Sequence, residues 1–364
     1  MEQSRYWLGV LAFMAVGWDQ GFAAETGVAE RPVRSRVEVL ALVETAGTTR
    51  PDWWDSVPLE YPATLDLKFP HPPPTKDWRA HENVGQYMWS VINENPARYR
   101  QGTKFMHFVM KLNEKDPGVV RRCQEQLAHC YHDLLQDWAR AAYWKQKLGV
   151  RDVTLAHCYW MLGNKAMAAE VLDGIQYDYS RYGEVIKLWA DMGELERALA
   201  VAQRSEGLAN WGAAARAAGD ALRKFGRYDE AILSFRKVLA IESPNPDNLI
   251  LKHNQDHARM AIQDLQLYET FDLLKVVDGS FEAGVPAYNG ELVVRVTVES
   301  HRISDVTVVK HSEKQFYSSL TDMPAKIVEA QDFRGVDATT GATVTAEAIK
   351  SATARALRRG RKGE

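Results

Sequence analysis

The sequence predicts a multi-domain protein in which an α-helical repeat array is followed by a small α+β domain. Three observations carry this reading of the 364 residues. Between about residues 82 and 268, apolar residues recur at three- and four-residue steps among abundant Ala, Leu, Glu, Lys and Arg, as amphipathic helices require. Inside that region Leu127-Ala128-His129-Cys130-Tyr131 returns 28 residues later as Leu155-Ala156-His157-Cys158-Tyr159. From Asp278 the period drops to two, with Leu292, Val294, Val296 and Val298 alternating with Val293, Arg295, Thr297 and Glu299.

Taken in chain order, residues 1–24 read as an export signal. Arg5 precedes an apolar run from Tyr6 to Trp18, too short for a membrane span of roughly 20 residues. Small residues Gly21, Ala23 and Ala24 follow and suit cleavage near Ala24, with an uncleaved anchor as the alternative. No later segment has the length and hydrophobicity to cross a bilayer, so the expected location is outside the cytoplasm, periplasmic or secreted. The net charge of −3 with 26% charged residues fits a globular chain and gives no case for nucleic-acid binding.

Residues 25–81 are rich in proline and tryptophan, including Pro51-Asp52-Trp53-Trp54 and His71-Pro72-Pro73-Pro74. Prolines lack the backbone donor and push their neighbours to extended geometry, so this segment is expected to be extended, free of long helices, and packed on a neighbour.

The helical region, 82–268, carries turn glycines at Gly163, Gly193 and Gly226, each followed five residues later by alanine: Ala168, Ala198 and Ala231. Small alanines let paired helices approach closely, and stacked pairs bury a core that no single pair has. The segment GDALRKFGRYDEAILSFRKVLAIESP, 219–244, resembles a tetratricopeptide repeat: Gly219, Tyr228, Ala231 and Phe235 occupy matching positions and Pro244 falls one residue late. The resemblance implies a curved surface for protein contacts, here a redox partner; a helical spacer without a partner is the alternative. His129, Cys130, His132, His157 and Cys158 are metal-ligand types, but their recurrence at repeat spacing accounts for the clustering, and no metal site is expected. Three cysteines, Cys123, Cys130 and Cys158, make no disulfide framework.

Residues 276–358 form the last domain, followed by a basic tail, 359–364, read as a solvated end. A half-buried strand at Leu292–Val298, a tight turn at Ser300-His301 and a partner strand from Ile303 to Val309 are followed by a helix over Pro324–Ala330 and a final helix from Ala346 to about Arg358. Just ahead of that helix stands Asp337-Ala338-Thr339-Thr340-Gly341-Ala342-Thr343-Val344-Thr345. Thr345 is expected to cap the helix, Val344 and Ile349 to staple its entry, and Glu347 to lie in its first turn. Hydroxyls from Thr339, Thr340 and Thr343 beside a helix N-terminus make a candidate anion site, with a simple cap as the bland alternative.

The motif resembles the Asp-x-x-(Ser/Thr)-Gly-Ala-(Thr/Ser) flavinylation signature of the FMN-binding domain found in peripheral subunits of sodium-pumping NADH:quinone reductase and the Rnf complex. Asp337, Thr340, Gly341, Ala342 and Thr343 match it. The likeness extends over DGSFEAGVPAYNGELVVRVTVESHRISDVTVVKHSE, 278–313, over Ala330-Gln331, and over Ala348-Ile349-Lys350. It implies FMN as cofactor, held covalently by a phosphoester to Thr343. It also implies a separate Mg-dependent flavin transferase that uses FAD outside the cytoplasm, in accord with the export signal. Asp337 would serve recognition or loop geometry, and Thr345 would help the phosphate through the helix start. His311 and Glu313 match positions that would line the flavin pocket; family members often have Thr next, whereas Lys314 stands here.

The function expected is an exported electron-transfer flavoprotein with no catalytic residues of its own. A flavin-dependent reductase of a small substrate and a flavin-free repeat adaptor are the alternatives. No Walker loop, Rossmann glycine pattern, His-Glu-x-x-His or serine nucleophile elbow occurs in the sequence.

Overall fold

The computed structural model of the protein describes residues 32–175, 182–205, 212–243, 245, 247–287, 290–312, 318–334, 336 and 343–361. The expected export signal, 1–24, lies outside the described residues. Among the described residues no helix is long and apolar enough to cross a membrane.

Twelve α-helices come first among the described residues: α1 (Arg36–Thr48), α2 (Val84–Tyr87), α3 (Tyr99–Leu112), α4 (Pro117–His129), α5 (Trp138–Lys147), α6 (Val153–Met161), α7 (Lys165–Asp173), α8 (Tyr182–Asp191), α9 (Leu195–Arg204), α10 (Ala213–Lys224), α11 (Tyr228–Leu239) and α12 (Leu249–Thr270). Short polar side chains start many of them. Asp116, Asp137, Asp152, Asn164 and Asn248 each accept a hydrogen bond from a backbone N–H of the turn that follows. Those donors have no partner within the helix itself.

The extended reading of residues 25–81 fails at α1. No proline falls between Pro32 and Pro51, and Ser35 with Glu38 forms a reciprocal capping box that opens the helix in this gap. Helix α1 buries Val39 and Val43 and packs on α5, where Gly47 meets the Tyr143 ring. The rest of the segment is irregular, and donors on α3 and α4 satisfy its carbonyls. Lys104 Nζ bonds the Trp54 and Val57 oxygens at 2.7 and 2.6 Å, and Arg122 Nε bonds the Phe69 oxygen at 2.9 Å. These side chains supply the pairing that the irregular backbone lacks.

Pairs α6/α7, α8/α9 and α10/α11 are helical hairpins. Their turns contain Gly163, Gly193 and Gly226 at φ +90°, +81° and +71°, the left-handed region in which a side chain is strained. Gly163 is fixed twice over, because a Cβ there would overlap the Pro32 carbonyl. Ala168, Ala198 and Ala231 are fully buried, as close helix approach demands. Helix α12 packs on α11 and closes the end of the array. The residue that follows the first Leu-Ala-His-Cys-Tyr segment meets the second: His132 Nε2 lies 3.0 Å from His157 Nδ1, and Asp133 holds His129 Nδ1 at 2.6 Å and His132 Nδ1 at 2.7 Å. Among the described residues no group of three or more His, Cys, Asp or Glu side chains is placed to hold a metal ion.

The last unit has three strands where two were expected: β1 (Gly279–Ala287), β2 (Gly290–Glu299) and β3 (Arg302–Lys310), antiparallel in that order. Strand β1 escaped the sequence reading because Gly284, Pro286 and two alanines replace the usual β-branched residues. Leu292, Val294, Val296 and Val298 all face the core. Ser300 and His301, at φ +52° and +56°, make the turn between β2 and β3. The Asp278 carboxylate accepts their backbone N–H groups at 3.0 and 3.3 Å, and the Ser300 bond foremost holds it below its ordinary pKa. Helix α13 (Ser318–Ala330) packs on β3 and contains Pro324 in its interior, so it begins earlier than the proline suggested. Helix α14 (Thr343–Arg359) covers β1 and β2. Gln331 ties α13 to β3: its Oε1 accepts the Ile303 N–H and its Nε2 donates to the Ile303 oxygen, both at 2.9 Å.

Candidate functional site

Two anchors set the direction of α14. At its far end Arg361 bridges to Val276, and the Val277 N–H donates to the Gly360 oxygen at 2.9 Å, just ahead of β1. The helix therefore runs back along β1, and its start lies by the β1–β2 connection, where Val285 pairs with Leu292 and Ala287 with Gly290. The end of β3 reaches the same place, since Lys310 pairs with Val293. His311 follows Lys310 and is exposed at this end of the sheet.

Thr343 is the first residue of α14. Asp337, Thr340, Gly341, Ala342 and Glu313 lie outside the described residues. The capping expectation for Thr345 is overturned: the helix begins two residues earlier, and Thr345 is buried inside its first turn. Val344 is likewise helical, so it does not stand ahead of a cap as the staple expectation required. Glu347 lies beyond the first turn and is buried, which rules out the surface dipole role assigned to it.

Glu347 instead meets the helical array. Arg223 Nη2 of α10 lies 2.5 Å from its Oε2, and Lys350 Nζ lies 3.2 Å from its Oε1. Arg223 also reaches Asp220 Oδ1 at 3.2 Å, which His257 Nε2 of α12 contacts at 3.0 Å. Burial pushes the Asp220 and Glu347 carboxyls up, but their neighbours outweigh it and hold both below their ordinary pKa values: His257 foremost for Asp220, Arg223 for Glu347. Asp264 of α12 differs. Burial dominates, the Ser351 hydroxyl and Arg355 offset it only in part, and its carboxyl is pushed up to about 6. Sequence reasoning missed Asp220, Arg223, His257 and Asp264. Their only signal is charge at helix positions that the apolar period assigns to the interior.

Helix α12 lies beside α14 and runs parallel to it. Ser351 Oγ donates to Asp264 Oδ1 at 2.9 Å, Arg355 Nη2 to Gln263 Oε1 at 2.9 Å, and Leu267 and Phe271 share a small cavity with Ala354 and Arg358. In that register Asp256 stands level with Thr343. Here a cleft of about 480 Å³ opens between α12 and the sheet. Leu249, Lys252, His253 and Asp256 form one side; Val285, Pro286, Ala287 and Glu291 are on the other. A cleft of this size, with apolar surface and a few polar groups, suits a small organic cofactor.

Residues 287–358 match the family model described as FMN-binding domain. The FMN-binding domain thus covers β2, β3, α13 and α14, with β1 completing its sheet just ahead of the matched segment. An uncharacterized protein of Treponema pallidum (strain Nichols) is 45% identical over 74 residues, 20% of this chain and 20% of that protein. The match therefore spans one fifth of the relative's length. No solved structure matches the chain. The cleft between α12 and the sheet fits the cofactor in size, and Lys252 and His253 line it. A bound flavin would supply one- and two-electron redox chemistry; the chain's part is to hold and orient it.

Proposed function

We propose that this protein is an extracytoplasmic electron-transfer flavoprotein carrying FMN on Thr343 through a phosphoester. The observation that carries the reading is the match of residues 287–358 to the FMN-binding domain, together with Asp337-Ala338-Thr339-Thr340-Gly341-Ala342-Thr343 running into the start of α14. In the attachment step the Thr343 oxygen forms the new ester bond to the FMN phosphorus of FAD. The phosphoanhydride breaks, AMP leaves, and the hydroxyl proton is released. An alkyl hydroxyl is a weak nucleophile at neutral pH, so a separate Mg-dependent flavin transferase activates it. A helix N-terminus such as the start of α14 favours the negative charge left on the phosphoester. The helical array docks a protein redox partner, and the export signal at 1–24 places the chain where the transferase acts.

The test is intact mass and peptide mapping of the chain exported from cells that contain a flavin transferase. A gain of one FMN less water on the Thr343 peptide supports the reading. An unmodified Thr343, with a known flavinylated protein labelled in the same cells, removes it and favours a flavin-free repeat adaptor.

A further inference from the structure

We infer that the helical array builds one wall of the flavin site: the isoalloxazine of an FMN held at Thr343 rests in the cleft between α12 and the β1–β2 end of the sheet, against Lys252 and His253. The inference rests on the proposed attachment at Thr343 and adds residues that lie outside the segment matched to the FMN-binding domain.

Three observations converge on this cleft. The parallel packing of α12 and α14, fixed by Ser351 on Asp264 and Arg355 on Gln263, brings Asp256 level with Thr343 and puts His253 and Lys252 about one turn farther along. The sheet delivers Val285 and Pro286 to the same level from the opposite side, because α14 runs back along β1 to the strand's end. The opening between these walls measures about 480 Å³. Its chemistry matches a ring with two unlike edges. Leu249, Val285 and Pro286 offer apolar surface to the dimethylbenzene edge, while Lys252 and His253 offer donors to the pyrimidine edge. Reduction places negative charge on that second edge, so a nearby ammonium favours the reduced form.

The Asp264–Ser351 bond holds α12 against α14, and the buried ion pair of Arg223 with Glu347 holds α10 against α14, so this wall keeps a fixed place relative to α14. The array therefore contributes to the electronics of the cofactor as well as to docking.

The test uses the full-length chain flavinylated in cells, with attachment at Thr343 first verified by mass. Both Lys252 and His253 are exposed, so substitution there leaves the core intact. A tryptophan in contact with an excited flavin quenches it by electron transfer, so His253→Trp is expected to lower flavin fluorescence several-fold. Leu112→Trp, at the exposed end of α3, is expected to leave it unchanged. Lys252→Glu is expected to lower the flavin midpoint potential, with recovery in Lys252→Arg. Flavin present at Thr343 with unaltered fluorescence in His253→Trp and an unaltered potential in Lys252→Glu overturns the composite wall and leaves the attachment intact. Absence of flavin from Thr343 overturns both.

Discussion

Arg223 Nη2 and Glu347 Oε2 stand 2.5 Å apart with both side chains more than nine-tenths buried, so a helix of the array and the helix that begins at Thr343 share one desolvated ion pair. Removing one partner strands the other charge in a medium that solvates it poorly. Arg223→Ala is expected to cost about 3 kcal/mol of stability, with Lys350 offsetting part of the loss. Urea unfolding of the variant measures it. Neutralising the stranded group in Arg223→Ala/Glu347→Gln should restore much of the difference.

Asp264 gives the unfolding curve a pH dependence of opposite sense to that of most carboxylates. Burial raises its folded pKa to about 6, above the unfolded value, so the folded chain binds the extra proton between about pH 4 and 6. Stability contributed by this group is therefore present at low pH and is lost as pH rises toward 6, by roughly 3 kcal/mol. Asp264→Asn keeps an acceptor for Ser351 and should flatten that part of the profile. Thermal melts across this range in both proteins check it.

Gly219 of α10 packs against the fully buried ring of Phe235 on α11, and a Cβ at Gly219 would lie 2.5–2.8 Å from three ring carbons. Alanine gains about 1 kcal/mol in helix propensity, but overpacking costs about 1–3 kcal/mol. Gly219→Ala should therefore destabilise the chain, and pairing it with Phe235→Leu should relieve the overlap. Denaturant midpoints decide.

The three cysteines are free thiols and buried. Burial pushes Cys123 and Cys130 up to about 12 and Cys158 well above its ordinary value. The reactive thiolate is thus scarce at neutral pH. A chromogenic thiol reagent should find almost no rapid reaction in the native protein and all three thiols after unfolding.

Thr343→Ala should fold as the parent does and carry no covalent flavin, whereas Thr343→Ser keeps the hydroxyl and should retain it. In-gel flavin fluorescence and peptide mass after co-expression with the transferase separate these outcomes.

Glycine and alanine spacing made the hairpins legible, since Gly163, Gly193 and Gly226 need φ values that few other residues adopt and Ala168, Ala198 and Ala231 permit close approach. Alternation made β2 legible for the same local reason. Helix α1 left a signal in Ser35 and Glu38, but the flanking prolines hid it. Strand β1 was not, because its stability comes from pairing with β2 rather than from its own residues. The start of α14 was misplaced by a Thr345 that looks like a cap and is buried instead. Lys252, His253, Arg223 and Asp264 gained meaning only once α12 was seen beside α14: a contact across about 90 residues of chain leaves no local pattern.

The turn at Gly163 bears on how the chain comes together as it is made. Arg34 donates from its backbone to the Gly163 oxygen at 3.0 Å and from Nη1 to the Leu162 oxygen at 2.9 Å, and Asn164 Nδ2 returns a bond to the Arg34 oxygen at 2.9 Å. A ribosome delivers Arg34 long before Asn164, so this clasp, which joins residues 130 apart in sequence, can close only after α6 has been made. Until the α6/α7 turn emerges, the segment ahead of α1 waits without its partners. Synthesis order and assembly order therefore differ in the amino-terminal half of the array.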